Sequence, residues 1–220
     1  MSEKKIPIPA RLQNVAENGH VAGASDIMDD NLQLTQAEIN AMVLGGAISV
    51  GFSTSPASII KTATTNVTLT ATCSQPATSI LIKKNGTTIG SGSGTSTSAT
   101  ASVNPSTDIA SVYTADIFVG SIQRTLTSKY VLFGSGNTYN DVSRASLRTS
   151  AAGTYSVPVE TSQTYVFFVV PASMTINRAT MSGFDFPLES PTNVTIDGVA
   201  YKSYKSSNTY DAGALTIVIS

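Results

Sequence analysis

Asn85-Gly86 lies between Ile80-Leu81-Ile82-Lys83-Lys84 and Thr87-Thr88-Ile89, and it constrains the fold more than any other pair of residues. Such a pair takes up the left-handed backbone of a two-residue hairpin turn, whose twist matches the strands it joins. Asp197-Gly198 repeats the device between Val194-Thr195-Ile196 and Val199-Ala200-Tyr201. The flanking segments alternate with period two. In Val67-Thr68-Leu69-Thr70-Ala71-Thr72-Cys73 this puts Val67, Leu69, Ala71 and Cys73 on one face. Tyr165-Val166-Phe167-Phe168-Val169-Val170 is apolar throughout, so it reads as a strand buried on both faces and ended by Pro171.

The chain is therefore expected to be mainly β, with an extended N-terminal arm and one short helix leading into two β-sandwich-like domains. Four segments are expected: an arm over 1–33, a capped helix over 34–46, a sandwich over 47–132 and a distal β domain over 133–220. Strands are predicted at Ile48–Phe52, Asn66–Cys73, Ser79–Lys84, Thr87–Gly90, Ser96–Val103, Ala110–Val119 and Ile122–Leu132. In the distal domain they are predicted at Ser156–Val159, Thr164–Val170, Met174–Met181, Thr192–Ile196, Val199–Ser203 and Leu215–Ile219. Gly90-Ser91-Gly92-Ser93-Gly94-Thr95 reads as a flexible loop. It lacks the Gly-Lys-Ser/Thr ending of a phosphate loop. Phe133-Gly134-Ser135-Gly136-Asn137-Thr138 reads as a turn-rich linker. Ser and Thr make up about a quarter of the residues, which suits strands and turns over long helices.

One stretch breaks the β pattern. In Leu34-Thr35-Gln36-Ala37-Glu38-Ile39, Thr35 and Glu38 form a capping box, with Leu34 and Ile39 placed as a hydrophobic staple. Gly45-Gly46 supplies the stop. Ile39, Met42 and Val43 share one face. So short a helix is marginal alone. It must dock on its own β domain or bundle with copies of the chain, and Leu34, Ile39, Met42 and Val43 are the candidate oligomerisation residues. Ahead of it, Ile6-Pro7-Ile8-Pro9 favours extended backbone. With Arg11 and Leu12 it forms the candidate docking arm. An arm of about 33 residues is out of place inside a compact domain and suits one laid on a partner.

Little in the chain points to catalysis or cofactors. His20 and Cys73 are the sole residues of their kinds, so no His/Cys zinc set is available, no intrachain disulfide forms, and neither can complete a nucleophile–base pair. Asp26, Asp29 and Asp30 lack calcium-loop spacing and read as a helix entry or turn. Two carboxylates such as Asp185 and Glu189 could in principle serve glycoside hydrolysis, but they sit in a Pro-bounded loop. No enzyme activity, metal or cofactor is expected. A net charge of −1 without a basic block argues against nucleic acid. No run approaches the ~20 apolar residues of a membrane span. The N-terminus has no apolar run that could serve as a secretory signal. Assembly into a virion released by lysis reconciles that with an extracellular-type composition, as do a shortened chain or another export route. Asn66, Asn85 and Asn193 open Asn-x-Thr triplets, which are common by chance in a Thr-rich chain. The functional stretch favoured on side-chain chemistry is Tyr201–Asp211. There Tyr201, Tyr204, Asn208 and Tyr210 offer flat apolar faces with polar tips for ligand contact.

Two resemblances follow. With Cys73 ending a B-like strand and Tyr113-Thr114-Ala115 placed like a tyrosine corner, the middle domain resembles a bacterial immunoglobulin-like domain. It departs from antibody domains in having Ala115 at the second cysteine position and no Trp. Two further segments carry a second likeness. One runs through Ile8-Pro9-Ala10-Arg11-Leu12, Gly19-His20-Val21-Ala22, Ile27-Met28-Asp29-Asp30 and Thr35-Gln36-Ala37-Glu38-Ile39-Asn40. The other runs from Met181-Ser182-Gly183-Phe184-Asp185-Phe186-Pro187-Leu188-Glu189 to Ser206-Ser207-Asn208-Thr209. Together they span a little over a quarter of the chain. Through them it resembles virion fibre or appendage proteins of crAss-like and related tailed phages of Bacteroides-type bacteria. That likeness implies a head fibre, or alternatively a tail fibre, on the virion surface. It implies a homo-oligomer (a trimer is favoured), docked through its arm to other virion proteins and able to touch host-surface or mucus glycans. A bacterial adhesin or carbohydrate-binding module is the rival expectation.

Overall fold

The computed structural model describes residues 28–29, 34–35, 48–62, 65–104 and 109–220. The chain divides into two compact units, Met1–Ile48 and Ser49–Ser220. In the first, β1 (Met28–Asp29) and β2 (Leu34–Thr35) pair antiparallel, with Met28 opposite Thr35 and Asp29 opposite Leu34. The helix expected over 34–46 therefore does not begin at Leu34. Extended backbone is what residues before and at a helix cap adopt. Ile39, Met42 and Val43 lie outside the described residues, as do His20 and the arm residues Ile6, Pro7, Ile8, Pro9, Arg11 and Leu12.

The second unit is mainly β, and every strand pairing in it is antiparallel among the described residues. Its strands are β3 (Val50–Ser55), β4 (Ile59–Ile60), β5 (Val67–Lys84), β6 (Thr87–Val103), β7 (Tyr113–Val119), β8 (Ile122–Gly136) and β9 (Arg144–Arg148). They continue with β10 (Gly153–Val159), β11 (Thr164–Pro171), β12 (Ala179–Met181), β13 (Phe184–Asp185), β14 (Thr192–Ile196), β15 (Val199–Tyr210) and β16 (Gly213–Ile219). Both sequence-predicted hairpin turns are present, with φ of 48° and 85° at Asn85-Gly86 and 49° and 79° at Asp197-Gly198. Positive φ at both central residues is the type I′ geometry.

The N-terminal half is built around the β5–β6 hairpin. Alternation sends Val67, Leu69 and Ala71 inward, along with Ala99, Ala101 and Val103 from β6. Thr68, Thr70 and Thr72 face outward opposite Ser102, Thr100 and Ser98. Pairing shifts register between Thr72 and Ala77, around Pro76, which has no N–H to donate. β6 doubles back on itself. A Cβ at Gly90 would stand 2.5 Å from the Thr100 carbonyl oxygen, and one at Gly92 would stand 2.8 Å from that of Ser98. The glycine-rich run expected as a loop is thus strand, because side-chain-free positions are what the close approach requires. Cys73 is a buried free thiol in β5.

β8 joins the two halves. Ile122–Ser128 pairs with β7, whereas Leu132–Gly136 pairs with β11 and Lys129–Phe133 with β9. Its burial follows suit, half-open at the start and buried on both faces from Tyr130 to Ser135. The boundary expected at 132/133 therefore falls inside one continuous strand, and the linker expected over 133–138 is strand as far as Gly136. The turn comes at Asn137–Asp141, where the Asp141 carboxylate accepts from the Asn137 and Thr138 N–H groups at 2.9 and 2.8 Å.

The C-terminal half packs the strand path β14-β15-β11-β8 over the sheet β10-β16-β12-β13. The shared core holds Val131, Phe133, Tyr155, Val166, Phe168, Tyr204, Ile217 and Ile219. Phe133, Tyr155 and Phe168 form an aromatic triangle with centroids 5.0, 5.3 and 6.5 Å apart. Edge-to-face pairs of this kind add about 0.5–1.5 kcal/mol each beyond area burial. The Tyr155 hydroxyl donates to the Ala151 carbonyl at 2.7 Å, and the Arg148 guanidinium covers its ring at 4.2 Å.

Candidate functional site

At the edge of the β10-β16-β12-β13 sheet the chain turns sharply and then crosses to β15. Ser182 and Gly183, with φ of 52° and 84°, reverse it from β12 into β13. Phe184 stands on that hairpin with its side chain 77% exposed, far more than any other large apolar residue described. Phe186 is drawn inward. Its N–H donates to the Ala179 carbonyl at 2.8 Å, and its buried ring stacks on Tyr210 at 5.1 Å and 18°. Next, Glu189 N–H donates to the Lys205 carbonyl at 2.8 Å, and Ser207 N–H to the Pro187 carbonyl at 2.9 Å. These bonds fasten residues 187–189 to β15.

A cleft of about 530 Å³ lies between these segments. Its apolar lining comes from Ile176, Phe186, Leu188, Pro191 and the Tyr204 ring, and its polar lining from Asn177, Arg178, Asp185, Glu189 and Ser190. Tyr204 is fixed there because its hydroxyl accepts from the Ile176 N–H at 3.3 Å. The charges are matched. Arg178 donates through Nε and Nη2 to one Asp185 oxygen at 2.8 and 2.6 Å. Lys205 donates to Glu189 Oε1 at 3.1 Å, with its ammonium 3.8 Å from the Tyr165 ring centroid. Among the described residues, Asp185 Oδ2, Glu189 Oε2, Arg178 Nη1, the Asn177 side-chain amide and the Ser190 hydroxyl make no hydrogen bond within the protein.

The tyrosine stretch is arranged differently from expectation. β15 lies between β14 and β11, and both its faces are covered. Tyr201 is buried with its hydroxyl donating to the Ile109 carbonyl at 3.3 Å, and burial pushes its pKa up to about 12. Tyr204 belongs to the core between the sheets. Tyr210 is half-buried against Phe186, and burial raises its pKa as well. Of the four residues expected to contact ligand, Asn208 alone is exposed. The ring that faces solvent is Phe184, for which the Ser182-Gly183 turn dipeptide after Met181 was the available sequence signal.

A second cleft of about 250 Å³ is lined by Phe52, Thr54, Ser146 and Arg148, among others. Its one cation is engaged in holding the chain together. Arg148 donates to Ser146 Oγ at 3.2 Å and to the Ala152 and Thr154 carbonyls at 3.3 and 3.1 Å. No group of three or more His, Cys, Asp or Glu residues able to hold a metal ion occurs among the described residues.

Fold and site together define a mainly β, antiparallel-sheet protein of β-sandwich type with a mixed polar–apolar cleft at a sheet edge. Comparison with protein-family models, curated proteins and solved structures finds no match to this chain.

Proposed function

We propose that the chain is a non-enzymatic structural virion protein, a phage head fibre. Its N-terminal arm docks on other virion proteins, and its β unit, with an immunoglobulin-like first half, projects from the particle surface for host or glycan contact. The observation that supports this most is the division of the chain. A tightly packed antiparallel β unit over Ser49–Ser220 follows a separate N-terminal unit whose sequence carries the Ile6-Pro7-Ile8-Pro9 run. A fibre needs both parts, an attachment segment and a stiff module to present. The pairing of Asp185 with Arg178 and of Glu189 with Lys205 supports a contact surface over a hydrolytic one. The fibre is a homo-oligomer, with a trimer favoured, bundled through Leu34, Ile39, Met42 and Val43. Attachment at the tail is the alternative placement.

Deleting residues 1–33 should abolish incorporation into particles while the β unit keeps its circular-dichroism spectrum and melting temperature; unchanged incorporation refutes the docking role. Light scattering on the full chain and on a version starting at Ile48 should give a trimer and a monomer. A second reading, a bacterial surface adhesin or carbohydrate-binding module, is favoured by the cleft lined by Tyr204, Asp185 and Glu189. Secretion of the chain from intact cells would select it.

A further inference from the structure

We propose that the cleft bounded by 176–179 and 185–191 binds an uncharged, hydroxyl-rich ligand, a neutral saccharide of about two or three sugar units. The inference deepens the host-contact part of the reading above and rests on it for its biological setting.

The size is that of a small-ligand site, since such pockets run to about 300–1,000 Å³, and this one measures about 530 Å³. The charge pattern narrows the chemistry. An anion would meet Asp185 and Glu189 on the rim, and a cation would meet carboxylates already held by Arg178 and Lys205. A purely apolar ligand would leave Asp185 Oδ2, Glu189 Oε2, Arg178 Nη1 and the Asn177 amide without partners when it displaced their water. Desolvating such groups unpaired costs about 1–3 kcal/mol each. A sugar ring answers every feature. Its hydroxyls donate and accept in turn, matching acceptors at Asp185 and Glu189 and donors at Arg178 and Asn177. Its C–H face suits an aromatic ring, and the Tyr204 and Phe186 rings line the cleft. Pre-existing ion pairs keep the rim side chains in place, so little ordering entropy is lost on binding.

The test is isothermal titration of the full chain with cellotriose, mannotriose, xylotriose and N-acetyllactosamine, beside a sulfated heparin disaccharide. At least one neutral sugar should bind, and Asp185→Asn and Glu189→Gln should each weaken it about tenfold or more. Both side chains are exposed, so the variants should melt with the parent, and Ser150→Ala in the other cleft should bind as the parent does. Three results overturn the proposal: no neutral sugar with a Kd below about 10 mM, binding kept within twofold in both cleft variants, or tighter binding of the sulfated disaccharide. A chain that enters particles yet binds no saccharide would overturn this inference alone, because incorporation is measured separately through the deletion of residues 1–33.

Discussion

Gly90→Ala sets two effects of opposite sign against each other at a single methyl group. Gly90 does not have the left-handed backbone that excludes side chains. On chain entropy alone, alanine there would stabilise the protein by about 0.4–1 kcal/mol, because it narrows the unfolded ensemble. The native structure opposes this. The added Cβ would lie 2.5 Å from the Thr100 carbonyl oxygen and 2.9 Å from the Ala101 methyl. The first is backbone of the same strand folded back on itself, and the second is buried, so neither yields like the end of a flexible side chain. Overpacking of this kind costs about 1–3 kcal/mol, leaving a net destabilisation of about 1–2 kcal/mol. Urea unfolding followed by far-ultraviolet circular dichroism would read it as a midpoint lower by about half a molar or more. Gly86 supplies the contrast: its Cβ would meet nothing within 4 Å, but its φ is +85°. Gly86→Ala should cost about 1–2 kcal/mol through the backbone alone. Gly86→Asn should recover part of that loss, whereas Gly90→Asn should be worse than Gly90→Ala. A Gly90→Ala midpoint equal to or above the parent's would refute the folded-back packing of β6.

Three further outcomes are expected. Lys83 Nζ and Thr125 Oγ1 each donate to Asp116 at 2.7 Å, beneath a surface that leaves its side chain 10% exposed. Burial pushes the Asp116 pKa up, but hydrogen bonds from Lys83 and Thr125 and the lysine charge outweigh it, so the net shift is downward from 3.8. The ionised carboxylate therefore stabilises the fold above the ordinary carboxylate value, and the contribution is lost as pH falls through the lowered one. Lys83→Met should cost about 1–3 kcal/mol at neutral pH, and its melting temperature should converge on the parent's in acid. Ser206 is fully buried; its hydroxyl accepts from Val166 N–H at 2.9 Å where the β11–β15 register shifts, and donates to the Asn208 carbonyl at 2.7 Å. Ser206→Ala should lower stability by about 1–3 kcal/mol by stranding that N–H, and a melting temperature within a degree of the parent's would contradict the assigned bond. Tyr155 and Tyr201 have pKa values pushed up to about 12 by burial. In an alkaline absorbance titration both should ionise late, Tyr155→Phe should remove one late step, and stability should fall from pH 10 upward, because the unfolded chain ionises first.

The candidate site was legible in its ingredients and not in its arrangement. Asp185 and Glu189 were legible as a possible carboxylate pair, and they do line the same cleft. Their engagement by Arg178 and Lys205 had no signature in the sequence, because each bond joins segments whose approach is set by strand register. Of the tyrosines singled out for ligand contact, Tyr204 lines the cleft while Tyr201 and Tyr210 are not among its lining residues, for a related reason. Alternation along Tyr201–Tyr210 separates two faces but does not say that both are covered, and here sheet packing buries Tyr204 while the Ile109 segment covers Tyr201.

The sequence by itself determined what depends on near neighbours. Asn85-Gly86 and Asp197-Gly198 dictated type I′ turns, since the conformations of those residues are local properties. Thr192–Ile196 was readable as a strand from end to end, and the inward faces of Val67–Cys73 followed from period two. The tertiary structure decided whatever depends on which segments come together, from seven residues apart at Arg178–Asp185 to about thirty or more at β8–β11. It turned Gly90–Gly94 from apparent loop into strand, because the value of a missing side chain there lies in the approach of Ser98, Thr100 and Ala101. It carried β8 through residues 132–133, because Leu132–Gly136 found partners in β11 thirty residues later. It also brought Asp185 within reach of Arg178, and Glu189 within reach of Lys205, around one cleft. Periodicity reports which face of a strand a residue occupies; what lies against that face is set by long-range packing alone.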